Sequence, residues 1–161
     1  MGPVETPGMV ELHAYGADCL VFGAVGLEDA RLSDQLNRTN ELRILDVRIE
    51  DLVDGHVIEM PELVVAHEEL CAVWAAGPRG DIARRLTTRT ARVEIEIGPY
   101  RIEGRVHGPP GGNPFASVLR RSTWVPLTDS VVTYRRGEED AWERIATLLV
   151  NRHLMRLFRE F

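Results

Sequence analysis

An internal repeat is the feature that most constrains the fold of this 161-residue chain, because it predicts one small unit built twice. Gly23 recurs as Gly104, an offset of 81, and the offset of the other matches rises to 84. The other matching segments are 10–12 with 93–95, 34–38 with 117–121, 45–47 with 127–131, and 64–70 with 148–154. The repeat predicts the following organisation: a flexible tail at 1–9, a first β unit at 10–77, a linker at 78–90 with a helical turn at 81–86, and a second β unit at 91–161.

Each unit of roughly 70 residues is near the lower size limit for independent folding, so we expect the two to pack together or against other chains. Unbroken apolar runs are only a few residues long, so no membrane span is predicted. The N-terminus lacks the basic and apolar regions of a signal peptide. Cys19 and Cys71 have no matches in the second unit and are interpreted as a buried, reduced pair. These features predict a cytoplasmic protein.

The charge of the chain divides unevenly between its halves. Residues 1–80 contain 5 Arg and 15 acidic residues, whereas residues 81–161 contain 14 Arg and 10 acidic residues. An acidic half and a basic half predict head-to-tail attraction between copies, and compositional drift is the alternative explanation. The chain contains no lysine, which excludes P-loop and Schiff-base lysine chemistry.

Alternating apolar and polar residues predict several strands. The predicted strands are 10–15, 19–25, 42–52, 93–97, 100–106 and 124–134. Short helices are expected near Leu32 and Leu36 and after Asn113, where proline follows a capping residue.

Two segments, 61–75 and 142–158, fit either helix or strand. Pro61 is consistent with a helix start, and Trp142 and Ile145 would share a helical face. Continuous apolar triplets favour instead two strands in each segment, joined by tight turns at 66–69 and 151–153. The strand interpretation is preferred, partly on the resemblance that follows.

This order of elements resembles the Sm-like fold, the small bent five-stranded barrel of the Sm, LSm and Hfq proteins. Residues 93–106 resemble the first two Sm strands with their glycine, and 149–158 resemble the closing strand, tight turn and strand. The chain is also similar to an uncharacterised bacterial domain whose copies end in a similar Val-Asn-Arg run. The resemblance implies a mainly β protein with minor α content, made of two tandem small five-stranded bent-sheet or barrel units. It also implies assembly through the fourth and fifth strands of each unit.

RNA pockets of that family use an Asn in a first motif and an Arg-Gly pair in a second. At the first position this chain has Asn37 and Arg120, and at the second it has 67–68 and 151–152, without glycine. An RNA- or nucleotide-binding ring is therefore the alternative function, and a net charge of −6 disfavours nucleic acid.

No catalytic, metal-binding or cofactor-binding constellation stands out. No two of the five histidines are three or four residues apart, and no serine has a Gly-x-Ser-x-Gly setting. We therefore expect a non-enzymatic module that self-assembles or binds another protein, with an enzyme of unknown class as the third possibility. The predicted interface residues are Arg120, Arg121, Arg135, Arg136, Trp74 and Phe158.

Overall fold

The computed structural model describes residues 8–27, 31–76, 89–118 and 123–160, and these are mainly β-strand, as predicted. The first half contains β1 (Met9–Tyr15), β2 (Cys19–Gly26), α1 (Leu32–Arg38), β3 (Glu41–Asp51), β4 (Val57–Ala66) and β5 (Ala72–Ala75). The second half contains β6 (Arg89–Ile97), β7 (Tyr100–Gly108), α2 (Pro114–Val118), β8 (Trp124–Arg136), β9 (Glu139–Asn151) and β10 (Met155–Glu160). The helical turn predicted at 81–86, most of the predicted tail, Arg120 and Arg121 lie outside the described residues.

The ten described strands form one open antiparallel sheet in the order β10-β6-β7-β8-β9-β5-β1-β2-β3-β4. In each half, the last strand pairs with the first, and the first to fourth strands follow in sequence. The halves join where β9 pairs with β5. The hydrogen-bond ladder runs through the described strands of both halves without a break.

A bend recurs at the same place in each half. The β2–β3 register shifts between Phe22 and Ala24, which flank Gly23. The β7–β8 register shifts in the same way around Gly104. A Cβ on Gly23 would lie 2.4 Å from Ile44 Cγ2, and one on Gly104 would lie 2.9 Å from Ser130 Oγ. The recurring glycines are therefore explained by close approach of the next strand at a β-bulge.

The two ambiguous segments are strands, so the helical alternative is wrong. Pro61 lies inside β4, and short 3₁₀ turns at His67–Glu69 and Arg152–Leu154 follow β4 and β9. Trp142 is 67% exposed while Ile145 is buried, because residues three apart on a strand point to opposite faces. Both turns lie within one residue of their predicted positions.

Two hydrophobic clusters form the core, and each draws residues from both halves. The cluster of the second half includes Tyr15 and Leu52, and the cluster of the first half includes Trp124 and Leu149. Sharing of this kind is expected when each unit is too small to bury enough apolar surface alone. The predicted buried cysteine pair is only half right: Cys71 is buried, but Cys19 is partly exposed beside the β1–β2 turn.

Candidate functional site

The junction between the halves is an antiparallel pairing of β5 with the end of β9. The paired residues are Ala72 with Val150 and Val73 with Leu149. Asn151 is fully buried and donates its side-chain amide to the carbonyls of Glu68, at 2.8 Å, and Leu70, at 3.1 Å. Hydrogen bonds from Asn151 therefore fix the end of β9 against the turn that precedes β5.

The hairpin of β8 and β9 also crosses to the first half. Arg136 forms an ion pair with Glu50, whose side chain is 6% exposed. The backbone N–H of Gly137 donates to the carbonyl of Leu52 at 2.7 Å. A basic residue of the second half thus meets an acidic residue of the first half within one chain.

A polar cluster surrounds Glu143 at this junction. Its carboxylate accepts hydrogen bonds from the hydroxyl groups of Tyr15 and Tyr134, the latter at 2.7 Å. Burial, together with these hydrogen bonds to Glu143, raises the pKa of both phenols, so they remain protonated donors at neutral pH. His13 Nδ1 lies 3.6 Å from Glu143 Oε2, and burial lowers the pKa of His13 despite that carboxylate. The imidazole is therefore neutral at pH 7.

The two outermost strands of the sheet, β4 and β10, each have one paired neighbour among the described residues. Val64 on β4 is 51% exposed, and Ile58 on the same strand is 48% exposed. Phe158 on β10 is partly buried against the core. These edges are candidate surfaces for pairing with another strand.

Strand register shows which residues of the two halves correspond. In the first half, His13 pairs with Phe22 on one side and with Trp74 on the other. In the second half, Glu94 pairs with Glu103 on one side and with Arg159 on the other. Because Phe22 and Glu103 each precede the matched glycine, Trp74 on β5 corresponds to Arg159 on β10. Phe158 is therefore the counterpart of Val73. The strand pairings can also be followed from β2 through β3 to β4 in the first half, and from β7 through β8 to β9 in the second. They make Val64 on β4 the counterpart of Leu149 on β9.

The four predicted interface residues that the structure describes do not form one surface. Arg135 is exposed and donates to the carbonyl of Glu138 at 3.0 Å, while Arg136 is engaged with Glu50. Trp74 lies at the junction, and Phe158 lies on the edge strand β10. Sequence reasoning missed the cluster at Glu143, because 128 residues separate Tyr15 from Glu143 and no local motif joins them.

No helix in the described ranges is long and apolar enough to span a membrane. Within those ranges, no group of three or more His, Cys, Asp or Glu side chains is arranged to hold a metal ion. Comparison of the chain with protein-family models, curated proteins and solved structures gave no significant match.

Proposed function

We propose that this chain is a non-enzymatic assembly module of two tandem Sm-like units, and that β4 of one copy pairs with β10 of the next. One observation carries the proposal: β9 and β5, the fourth strand of one half and the fifth of the other, already pair inside the chain. The corresponding fourth and fifth strands, β4 and β10, are the two ends of the described sheet. The edge strands of a sheet favour the addition of another strand.

Side-chain exposure supports the same pairing. Leu149 is 6% exposed beside β5, whereas its counterpart Val64 is 51% exposed. A junction that repeats the internal register places Val64 opposite Phe158 and Val65 opposite Leu157. This register buries an exposed valine against apolar side chains and lengthens the ladder, and both changes favour association.

Charge supports the proposed orientation as well. Glu59 and Glu68 lie on or just after β4, while Arg156 lies on β10. Glu62 on β4 and Arg159 on β10 already form ion pairs within the chain, with Arg43 and Glu94. Opposite charges on the two edges steer them together and disfavour pairing of like edges. Because these groups are exposed to water, the attraction weakens as salt is added.

The proposed contact between copies lacks one feature of the internal junction. Ala66 ends β4 at the position where Asn151 ends β9, so it has no side-chain amide for the carbonyls of the opposing turn. We therefore expect association between copies to be weaker than the internal pairing and to depend on protein concentration.

The test is size-exclusion chromatography with light scattering on the wild type, Val64→Lys and the matched control Val53→Lys. Val53 is 79% exposed in the turn between β3 and β4, away from the paired register. The proposal predicts a multiple of 18.1 kDa for the wild type and the control, and 18.1 kDa for Val64→Lys. A mass of 18.1 kDa for all three proteins would contradict it. Absorbance at 260 nm in the same run tests the nucleic-acid alternative, which requires a co-eluting excess over protein absorbance.

A further inference from the structure

A cleft opens beside the junction because β5 is much shorter than β9. β5 pairs with β9 only at Ala72 and Val73, so among the described residues the middle of β9 has no paired strand of the first half beside it. The cleft has a volume of about 440 Å³. Its lining residues are His13, Trp74, Glu143, Arg144, Ile145 and Ala146.

One wall of the cleft is aromatic. Phe22, His13 and Trp74 lie opposite one another on β2, β1 and β5, so their side chains share one face of the sheet. The His13 ring stacks on Phe22 with centroids 4.4 Å apart and on Tyr15 at the same distance. This stacking fixes the imidazole plane beside the indole of Trp74, which is half-buried.

The cleft holds two groups that can accept hydrogen bonds, Glu143 and His13, beside the donors of Arg144 and Trp74. Glu143 accepts hydrogen bonds from two phenol groups, and each carboxylate oxygen has further acceptor capacity. A neutral His13 with its proton on Nδ1 directs that proton toward Glu143 and leaves Nε2 as an acceptor. Nε2 is buried and has no hydrogen-bond partner in the described part of the chain, and His13 as a whole is 9% exposed.

We propose that this cleft binds a planar guanidinium cation, held against Trp74 by Glu143 and His13. A guanidinium carries five N–H donors in a plane, which complements a carboxylate and a second acceptor nearby. Its flat face stacks on an indole, the best aromatic partner for a cation. Arg144 also lines the cleft, but its side chain is exposed, so water screens its opposing charge. Because the cleft lies at the internal junction, this inference applies to a single chain, whatever its assembly.

A fluorescence titration tests the site in a Trp142→Phe background. Trp142 is 67% exposed and would dominate the signal, whereas Trp124 is 2% exposed, so the remaining change reports on Trp74. The probes are N-acetyl-arginine amide, the neutral isostere N-acetyl-citrulline amide, and N-acetyl-lysine amide. We expect saturable quenching by the arginine probe and binding at least about tenfold weaker for the other two. Equal responses to arginine and citrulline, or no saturation, would overturn the proposal.

Variants separate a specific site from a general charge effect. Glu143→Gln keeps the shape of the side chain and should weaken arginine binding at least about tenfold, while the exposed control Glu139→Gln should not. His13→Phe keeps the ring stack but removes the acceptor, and should weaken binding severalfold without loss of the far-ultraviolet spectrum. Unchanged binding in both Glu143→Gln and His13→Phe would overturn the assignment. Methylguanidine tests which kind of molecule supplies the guanidinium group. An affinity equal to that of the arginine probe indicates that the cleft binds small guanidines. A lower affinity indicates that it binds arginine side chains of a polypeptide.

Discussion

Asp46 and Asp129 adopt the same uncommon backbone conformation, with φ of 51° and 49°. Positive φ is rare for residues with a side chain, and aspartate is one of the few that tolerate it. Asp46 lies on β3 beside the bulge at Gly23, and Asp129 lies on β8 beside the bulge at Gly104. The two halves therefore share a backbone bend as well as a strand order, which supports their interpretation as two copies of one unit.

Replacement of either bulge glycine by alanine should lower the free energy of unfolding. We expect about 1–3 kcal/mol for Gly23→Ala and Gly104→Ala, because a new methyl group would overlap its neighbours. Gly23→Ala should be the more severe, since its Cβ would lie 2.8 Å from the backbone carbonyl oxygen of Leu45 as well as against Ile44. Urea unfolding measures both. Gly8→Ala is the control, because no atom lies within 4 Å of its Cβ position. A urea midpoint for Gly23→Ala equal to that of the wild type would contradict the close approach of Ile44 and Leu45 to Gly23.

Removal of Arg136 should destabilise the junction. Arg136→Ala leaves the carboxylate of Glu50, 6% exposed, with Arg48 at 3.8 Å as its remaining basic partner in the described ranges. We expect a loss of about 1–3 kcal/mol in unfolding free energy, the usual cost of leaving a buried polar group without its partner. Arg135→Ala removes the same charge from an exposed neighbour and should change the free energy by less than about 0.5 kcal/mol. Equal effects in urea unfolding would mean that the ion pair with Glu50 contributes nothing to stability.

His13 should make stability fall as the solution becomes mildly acidic. Burial lowers the pKa of His13 below 6.5, so the unfolded chain binds a proton before the folded protein does. The contribution of His13 to the free energy of unfolding is complete above pH 6.5 and is lost as the pH falls toward the lower pKa of the folded state. Over that range the free energy of unfolding falls by up to about 1.4 kcal/mol per pH unit.

Urea unfolding of the wild type and His13→Phe between pH 7.5 and 5 measures this contribution. Glu143 and Glu11 raise the pKa of His13, whereas Arg136 lowers it. Removal of either glutamate should therefore widen the pH range over which stability is lost, and removal of Arg136 should narrow it. His56→Gln, at an exposed turn, should keep the wild-type dependence. A parallel pH profile for His13→Phe and the wild type would contradict the assignment.

Much of the fold could be predicted from the sequence, because its signals are local. Alternation identified most strands, and apolar triplets at 63–65 and 148–150 favoured strands over helices. The match of Gly23 with Gly104 marked equivalent positions of the two halves, and the structure has a bulge at each, where only a residue without Cβ fits.

The junction could not be predicted, because it depends on contacts between distant parts of the chain. The pairing of β9 with β5 joins residues such as Val73 and Leu149, which are 76 positions apart. Arg136 was predicted to face another copy, but it meets Glu50 of the same chain. The net charge of each half indicates attraction and cannot specify whether the attraction acts within or between chains.

Cysteine cross-linking tests the central claim of edge-to-edge assembly most directly. In a Cys19→Ser, Cys71→Ser background, Val64→Cys is mixed with Phe158→Cys under mild oxidation. Cα atoms paired across antiparallel strands are about 4.5–5.5 Å apart, within the range that a disulfide spans. The account predicts a reducible band at twice 18.1 kDa in the mixture and none with either variant alone. Only the 18.1 kDa band in the mixture, from proteins that retain the wild-type fold, would contradict pairing of β4 with β10.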